Sequence, residues 1–291
     1  GKSSFMALLL ADAQKKGYLP LIIDAEGAWT NTFVTRWGIN PENTIKIKSL
    51  WIEDILVQLA KIIDSGMTNL AIAVDSIGAI ESKKIVTDGT NKDDVKADQG
   101  RLQKDIKRML KMIVGLTKFN ECVAFSAAHY YGNPTGYGEP EKLGGGNYLK
   151  LSADTIINLK KQPIYENPNE KTKDKKGKIL GNKINATTLK NRYSPPFQEA
   201  IVDINFQKGV DKLAGLIDVA LDIGLIERAG AWYSCEVMGM KVQGSDNLLK
   251  EIKESDNQPL LDGIENYLKT VGYSNINNEL EIGNFEETPE T

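Results

Sequence analysis

Short runs of consecutive apolar residues, each ending in a carboxylate, constrain the fold of this 291-residue chain more than any other feature. The run Leu21–Ile23 is followed by Asp24, and the run Leu70–Val74 is followed by Asp75. Strands that are apolar at every position, rather than at alternate positions, are typical of parallel sheets that are buried on both faces. Because helical segments separate these strands, the pattern predicts an α/β fold with a mostly parallel sheet covered by helices.

The order of helices and strands supports this fold class. Helices are predicted over residues 4–16 (ended by Gly17), 31–37, 51–65 and 97–118. Strands are predicted over residues 21–24, 70–75, 123–127 and 155–159. Ligands of such sheets bind beyond the carboxyl ends of the strands. The polar residues expected there are Asp24, Glu26, Asp75, Ser76 and His129.

Three segments are expected to organise the chain. Residues 1–210 are predicted to form the α/β core, and residues 211–278 a small α+β C-terminal domain with helical runs over 212–224 and 246–254. Residues 279–291 form an acidic tail that is expected to be disordered. Within the core, residues 165–182 are charged and low in complexity, which indicates a solvated hairpin connection.

Two polar or glycine-rich segments follow strand ends and are candidate functional loops. Residues 83–96 are mostly polar, and residues 130–147 contain many glycines, two prolines and several tyrosines. Loops at such positions commonly carry binding and catalytic residues.

Composition excludes some classes of site. The formal net charge is −3, so any nucleic-acid site must be a local cluster of Lys and Arg. Cys122 and Cys235 are the only cysteines and His129 is the only histidine, which excludes a disulfide framework and nearly excludes a Cys/His zinc site. This usage fits a cytoplasmic location, and neither a membrane span nor a secretory signal is predicted.

The first residues match the end of a phosphate-binding loop. Gly1-Lys2-Ser3 corresponds to the last three positions of the motif G-x-x-x-x-G-K-[ST], and a predicted helix follows at Ser4. In that motif the helix N-terminus binds phosphate, the Lys reaches the outer phosphates and the Ser hydroxyl coordinates magnesium. A tripeptide is weak by itself, but the order of the following features supports the interpretation.

The acidic residues at the strand ends each allow two interpretations. Asp75, followed by Ser76, is a carboxylate that holds the magnesium shell or one that caps a turn. Glu26 either orients and deprotonates an attacking water or is a surface acid. For Asp24 a structural role is favoured.

The basic residues and the histidine also leave two interpretations open. His129 is either structural or contacts the terminal phosphate just before the glycine-rich segment. Arg101, Lys104 and Arg108 share one face of the helix predicted over 97–118. That face is either simply solvated or lines a groove that neutralises nucleic-acid phosphates.

The combination of motifs resembles bacterial and phage RecA-type recombinases over nearly the whole chain. The segments that carry the resemblance are Ile22–Glu26, Val74–Ile77, Gly144–Asn147, Leu189–Phe197 and Gly230–Ser234. The most specific pieces are Lys190-Asn191-Arg192 with Pro196-Phe197 behind it, and the run Ala229–Ser234. His129 is more similar to the phage UvsX-like recombinases, in which the bacterial Gln is His.

The resemblance implies ATP and Mg²⁺ as cofactors and gives the nucleotide residues their roles. Gly1, Lys2, Ser3 and Ser4 would bind the triphosphate, with Ser3 and Asp75 at the magnesium ion and Ser76 beside it. Glu26 would activate water and His129 would sense the terminal phosphate. Phe33 would stack on adenine where the family usually has Tyr.

The same resemblance implies single-stranded and double-stranded DNA as partners, together with self-association into a helical filament. Residues 83–96 resemble the first DNA-binding loop, and residues 130–147 the second. The DNA-binding residues implied are Arg101, Lys104, Arg108, Gly144, Gly145, Gly146 and Asn147. Lys190 and Arg192 resemble the pair that reaches across the filament interface to the neighbour's ATP.

The sequence departs from the family pattern before Gly1. The N-terminal helix and strand that join neighbours, and the first half of the phosphate-binding loop, are not part of it. The backbone amides of that half supply much of the phosphate cradle, so the chain alone is expected to bind ATP weakly. Two origins are expected for such a chain. It is either one piece of a divided gene, with a complementary N-terminal fragment supplied by another gene or through intein splicing, or a fragment of a longer sequence.

The function expected from these features is ATP-dependent recombination on single-stranded DNA in a bacterial or phage-infected cell. One alternative is a hexameric helicase-type motor, which the Lys190 and Arg192 pair disfavours. A second alternative is a non-catalytic DNA-binding or regulatory paralogue. Such a paralogue has no need to retain Glu26, Asp75 and His129 together with those two cations.

Overall fold

The structure, a computed structural model, describes residues 1–83, 92–132, 141–144, 146–167, 177–193, 195–205, 209–210 and 215–270. The chain divides into two compact units, of which the first is Gly1–Ala200 and the second begins at Ile201. The domain boundary predicted after residue 210 stays a prediction. The predicted acidic tail, Gly145 and most of the first candidate loop lie outside the described residues.

Four parallel strands form the central sheet of the first unit. They are β1 (Leu19–Asp24), β2 (Ile45–Lys48), β3 (Leu70–Asp75) and β4 (Val123–Ser126), in the order β2-β1-β3-β4. All three pairings are parallel, which the apolar runs predicted for β1, β3 and β4, whereas β2 was not predicted as a strand. The register between β1 and β3 places Asp24 opposite Asp75, so both carboxylates lie at the same edge of the sheet.

Of the helices in the described part of the first unit, the first four were predicted and differ only at their ends, whereas the last was not predicted. They are α1 (Lys2–Lys15), α2 (Asn31–Arg36), α3 (Ile52–Asp64), α4 (Lys92–Phe119) and α5 (Asn147–Ser152), with a short 3₁₀ turn at Ile77–Ala79. The helix α4 begins five residues before the predicted start at 97, so the end of the first candidate loop is helical instead. No helix in the described part of the chain has both the length and the apolar character that crossing a membrane requires.

Both faces of the parallel sheet are buried, because alternate residues of its strands enter two different hydrophobic clusters. Leu21 and Ile72 pack into the cluster formed with α3 and α4. Ile22 and Ala73 pack into the cluster formed with α1. The small side chains of the second cluster, with Ala7 and Ala71 among them, allow α1 to lie close to the sheet.

The strand β4 differs from the expectation of a fully buried strand. Its residues alternate between half-buried and exposed, with Ala124 and Ser126 on the exposed side. The reason is its position, since β4 is the last strand of this sheet among the described residues. A run of apolar residues in the sequence does not show whether a strand has a neighbouring strand on each side.

Antiparallel pairs follow the parallel sheet. The predicted loop 130–147 contains two short paired strands, β5 (Tyr130–Gly132) and β6 (Glu141–Leu143). The strand predicted over 155–159 is longer than expected and is antiparallel, because β7 (Thr155–Tyr165) pairs with β8 (Ile179–Asn191). The hairpin predicted around 165–182 is therefore confirmed, although residues 168–176 lie outside the described chain.

The second unit is a small α+β structure with its own core. Its strands β11 (Glu227–Ala229), β12 (Trp232–Cys235) and β13 (Met240–Gln243) form an antiparallel sheet. Its helices are α6 (Leu216–Asp222), α7 (Ser245–Glu254) and α8 (Gln258–Thr270), of which α8 was not predicted. The strand β9 (Glu199–Asn205) crosses the boundary between the units and pairs with β10 (Gly209–Val210).

Replacing Ile72 by Ala should destabilise the first unit by about 2–5 kcal/mol, because this fully buried side chain fills the middle of β3. Val57, which is 56% exposed on α3, provides the control, and Val57→Ala should change stability by about 0.5 kcal/mol or less. Urea unfolding followed by circular dichroism measures both. Equal effects of the two substitutions would contradict the central position of β3.

Candidate functional site

Two buried carboxylates lie side by side at the carboxyl edge of the parallel sheet. Asp24 and Asp75 are 3% and 2% exposed, and the amide of Ala25 donates a hydrogen bond of 2.9 Å to the backbone carbonyl of Asp75. Burying two like charges so close together is unfavourable unless hydrogen bonds compensate them. The hydrogen-bond donors around each carboxylate therefore indicate whether that carboxylate is structural or is available to bind a ligand.

The carboxylate of Asp24 closes the turn that follows β1. Its Oδ1 accepts from the amide of Ala28 at 3.1 Å, and its Oδ2 accepts from the amide of Trp29 at 3.0 Å. Gly27 has a φ of 72°, a conformation that L side chains seldom adopt, and this allows the chain to reverse there. Asp24 thus has the structural role that the sequence favoured, and Glu26 lies at the tip of the turn.

The carboxylate of Asp75 has a donor that sequence reasoning missed. The indole Nε1 of Trp29 donates a hydrogen bond of 2.9 Å to Asp75 Oδ2, and the Trp29 side chain is fully buried. The only signal in the sequence was a large aromatic residue inside an otherwise small and polar turn. A buried Trp usually finds a partner for its N–H, but the sequence does not say which partner.

Four predicted residues come together next to this pair. Ser76 Oγ donates to Glu26 Oε1 at 2.5 Å, and His129 Nε2 lies 3.9 Å from the same Glu26 oxygen. On the other side of the ring, Lys2 Nζ lies 3.4 Å from His129 Nδ1. The structure therefore arranges an ammonium, an imidazole, a carboxylate and a hydroxyl in a continuous series from α1 to the end of β3.

The N-terminus of α1 faces this series with its own positive character. Gly1 is the N-cap without a side-chain cap, and the first backbone bond is from Phe5 to the Gly1 carbonyl. The amides of Lys2, Ser3 and Ser4 therefore have no partner within the helix. These donors fit a phosphate, and Ser3 and Asp75 provide oxygen ligands of the kind that a hydrated magnesium ion takes.

Phe33 connects to the site through Trp29. Its half-buried ring on α2 meets the Trp29 ring edge-on, with the ring centroids 5.3 Å apart. Its predicted contact with adenine stays a prediction.

Lys190 and Arg192 are not beside Glu26 in this chain. Lys190 Nζ donates to three backbone carbonyls at the end of α5, those of Lys150, Leu151 and Ala153, at 3.1, 3.1 and 2.7 Å. The Arg192 guanidinium pairs with Asp154 at 2.9 Å. Both cations therefore bind the C-terminal end of α5 or the two residues directly after it.

The predicted DNA-binding residues lie on two neighbouring elements. Arg101, Lys104 and Arg108 are exposed on α4. On the same helix, Lys107 Nζ lies 5.7 Å from the ring centre of Tyr148 on α5, so the two helices are in contact. The remaining members, apart from Gly145, are Gly144, Gly146 and Asn147, which lead into α5.

The second candidate loop is tied directly to the His129 backbone. The amide of Gly144 donates to the carbonyl of His129 at 2.8 Å. A Cβ on Gly146 would lie 3.2 Å from Gln103 Oε1, which places this end of the loop against α4. The His129 ring thus contacts residues of the site, while its backbone carbonyl is hydrogen-bonded to the second candidate loop.

The first candidate loop begins at a carboxylate clamp that the sequence did not indicate. Glu53 accepts from Ser82 Oγ at 2.7 Å and from the Lys83 amide at 3.2 Å, while Lys83 Nζ binds Asp54 at 2.6 Å. Burial alone would raise the pKa of Glu53, but the hydrogen bonds from Ser82 and Lys83 outweigh it and the pKa is lowered. Two acids in the first turn of α3 therefore fix the start of the loop.

Comparison with known proteins gives one consistent family. The family model of the RecA N-terminal domain matches residues 1–211. The chain is 30% identical over 262 residues to Protein RecA of Wolinella succinogenes, covering 89% of this chain and 71% of that protein. It is 32% identical over 257 residues to Protein RecA of Helicobacter pylori, covering 87% of this chain and 70% of that protein. A solved structure of the RadB recombinase aligns with a TM-score of 0.47 at 17% identity, over 70% of this chain and 83% of that chain.

Replacing Glu53 by Gln should lower the melting temperature near neutral pH, where the loss amounts to about 0.5–1 kcal/mol because water screens this partly exposed group. The folded pKa is depressed, so the ionised form stabilises the protein above the ordinary value of 4.5, and this contribution disappears as the pH falls through the folded pKa. Melting curves of both proteins at about pH 7 and about pH 3 should therefore differ only at the higher pH. Glu42→Gln, at an exposed position, is the control, and a pH-independent difference for Glu53→Gln would contradict the assignment.

Proposed function

Because the chain belongs to the RecA family, we propose that it is an ATP-dependent DNA recombinase that forms a filament on single-stranded DNA and promotes homologous pairing and strand exchange. The observation that carries the proposal is the series Lys2, His129, Glu26 and Ser76 at the carboxyl edge of the sheet, beside the buried carboxylate of Asp75. Phosphate chemistry needs a cation, a metal-ligating acid and a water-activating base close together.

The nucleotide residues divide into binding and chemistry. Lys2 and the free amides of Ser3 and Ser4 bind the outer phosphates, because they combine positive charge with donors that have no partner in the helix. Ser3 and Asp75 hold the magnesium ion, which when bound neutralises the phosphate oxygens. Gly1 contributes to the phosphate loop, Ser76 anchors the base, and Phe33 contacts adenine.

Glu26 is the residue proposed to activate water. A carboxylate acts as a general base when it is fixed within reach of the proton that it removes. One Glu26 oxygen is fixed by Ser76, and the turn closed by Asp24 holds its backbone. The second Glu26 oxygen is then the one that accepts the proton of the attacking water.

His129 is proposed to report the state of the nucleotide to the second loop. Its ring lies between Lys2 and Glu26, so a terminal phosphate at Lys2 competes for the same side chains. Its carbonyl accepts from the Gly144 amide, and residues Gly144–Asn147 lead into α5. A change in the ring position therefore acts on the backbone of a loop proposed to bind DNA.

DNA binding is proposed for the surface formed by α4 and the second loop. Arg101, Lys104 and Arg108 provide an exposed row of cations for backbone phosphates, and the glycines allow close approach of a strand. Base pairing between strands, rather than side chains, then supplies the sequence readout. Double-stranded DNA is the second substrate of the same surface.

Lys190 and Arg192 are proposed to act on the ATP of a neighbouring subunit. In this chain they bind the end of α5 and Asp154, away from Glu26. Cations supplied in trans stabilise the charge of the transferring phosphate, so hydrolysis would require assembly. Filament formation and turnover would then be coupled.

Glu26→Gln should lower the rate of DNA-stimulated ATP hydrolysis by about 10²–10⁴-fold, because it removes the proposed base. Binding of a non-hydrolysable ATP analogue should stay within about twofold of the wild-type value, because Gln keeps the shape and the hydrogen bond to Ser76. Glu42→Gln is the control and should hydrolyse ATP at the wild-type rate. A wild-type chain that binds single-stranded DNA without any turnover, even after it is joined to a RecA-type N-terminal half that completes the phosphate-binding loop, would favour a non-catalytic module instead.

Replacing Arg101, Lys104 and Arg108 together by Gln should weaken binding of single-stranded DNA and reduce its salt dependence. Each phosphate contact contributes about 0.7 to the slope of log K against log salt, so the slope should decrease by about 2. The control replaces three exposed lysines elsewhere and changes the net charge equally: Lys15 and Lys16 at the end of α1, and Lys61 on α3. Fluorescence anisotropy with a labelled oligonucleotide at several salt concentrations measures both, and equal slopes for the two triple variants would contradict the proposed surface.

A further inference from the structure

We propose that Trp29 is a positioning residue for the metal-binding carboxylate of Asp75, which it orients through its indole N–H while its backbone amide fixes the turn that carries Glu26. This inference rests on the proposed function, because that function is the reason to expect a metal ion at Asp75. It concerns a side chain that the sequence motifs of the nucleotide site do not contain.

The contacts of Trp29 join the two acids at the end of the sheet. Its backbone amide donates to Asp24 Oδ2 at 3.0 Å, and its indole Nε1 donates to Asp75 Oδ2 at 2.9 Å. Asp24 and Asp75 are opposite each other in the register of β1 and β3. One residue therefore supplies a donor to each of two adjacent buried carboxylates.

The indole is held rigidly enough to transmit this orientation. Its side chain has no exposed surface and packs in the cluster formed by α1, Ile22 and Ala73. The Phe33 ring meets it edge-on, with the ring centroids 5.3 Å apart. A buried side chain with many neighbours has a single rotamer. The direction of the N–H is therefore set by the core rather than by solvent.

The chemical identity of the donor matters for a metal ligand. A Lys or Arg at this place would neutralise the Asp75 carboxylate and compete with a cation for it. The indole N–H is neutral and donor-only, so it binds one oxygen and leaves the full negative charge on the group. Oδ1 has no hydrogen-bond partner among the residues that the structure describes, so it is the oxygen that remains for a metal ion or a metal-bound water.

The same geometry couples Asp75 to Glu26. Trp29 ends the turn that begins at Asp24, and Glu26 lies at its tip, where Ser76, the neighbour of Asp75, donates to it. Displacing the indole would therefore alter both the metal ligand and the support of the proposed base. Hydrogen-bond partners of metal ligands commonly change metal affinity when they are removed.

The test compares Trp29→Phe with Trp37→Phe. Both substitutions remove an indole N–H and keep an aromatic ring, but Trp37 Nε1 is a buried donor without a partner in the described structure. The probe is Mn²⁺ with a non-hydrolysable ATP analogue, and electron paramagnetic resonance measures the free ion. Trp29→Phe should raise the Mn²⁺ concentration for half-saturation by about 10-fold to 100-fold, whereas Trp37→Phe should leave it unchanged.

A purely structural role for Trp29 predicts a different result. Trp29→Phe would then lower the melting temperature without metal but bind Mn²⁺ as the wild type does, and that outcome would overturn the inference while the proposed function stands. A wild-type chain that binds no Mn²⁺ with the nucleotide analogue, even after it is joined to a RecA-type N-terminal half that completes the phosphate-binding loop, would overturn both.

A second measurement does not depend on the folding of Trp29→Phe. The chain has 4 Trp residues, so ¹⁵N-indole labelling gives a small set of N–H resonances. The variants Trp37→Phe, Trp51→Phe and Trp232→Phe assign the other three and leave Trp29 by elimination. The Trp29 resonance should shift when Mg²⁺ and the analogue are added to wild-type protein, and no shift at saturating analogue would refute its contact with the metal ligand.

Discussion

The parallel register between β1 and β3 is the constraint on which the rest of the site depends. It places Asp24 and Asp75 side by side at one edge of the sheet, both almost fully buried. Two such charges repel each other in a medium of low dielectric constant, so the surrounding chain has to supply donors. The turn after β1, the indole of Trp29 and the position of Glu26 all follow from that requirement.

The close packing of α1 on the sheet brings positively charged and hydrogen-bond-donating groups to the site. Alanines on both the helix and β3 let the two elements approach, which brings the start of α1 to the carboxyl edge of the sheet. Lys2 then reaches the His129 ring, and the unpartnered amides of the first turn face the same space. Positive donors from a helix end and negative side chains from strand ends thus meet across a short distance, as the binding of a metal–phosphate complex requires.

Patterns in the sequence predicted the elements whose position depends on local periodicity. Burial of a strand on both faces produces an uninterrupted apolar run, which can be recognised in the sequence. Such runs, together with the amphipathic α3 and the acids at the strand ends, predicted the parallel sheet and the residues at its edge. The same patterns did not reveal that β4 is an edge strand among the described residues or that β7 is antiparallel, since both properties depend on which strand lies alongside. Trp29 and Glu53 were missed for a related reason, as their partners are 46 and 29 residues away in the chain and only the fold brings them together.

His129 contacts two different parts of the structure, and this limits the residue types that position 129 can accept. The His129 ring is held between Lys2 and Glu26, while its carbonyl receives the amide of Gly144 and its backbone leads into β5. A replacement must carry a polar atom at least two bonds beyond Cβ, since a shorter side chain would not span the gap to the ammonium. It must also leave the backbone able to continue into β5 at Tyr130. The side chain at position 129 and the backbone path of the following segment are therefore coupled. A substitution that changes the ring contacts must also be compatible with that backbone path.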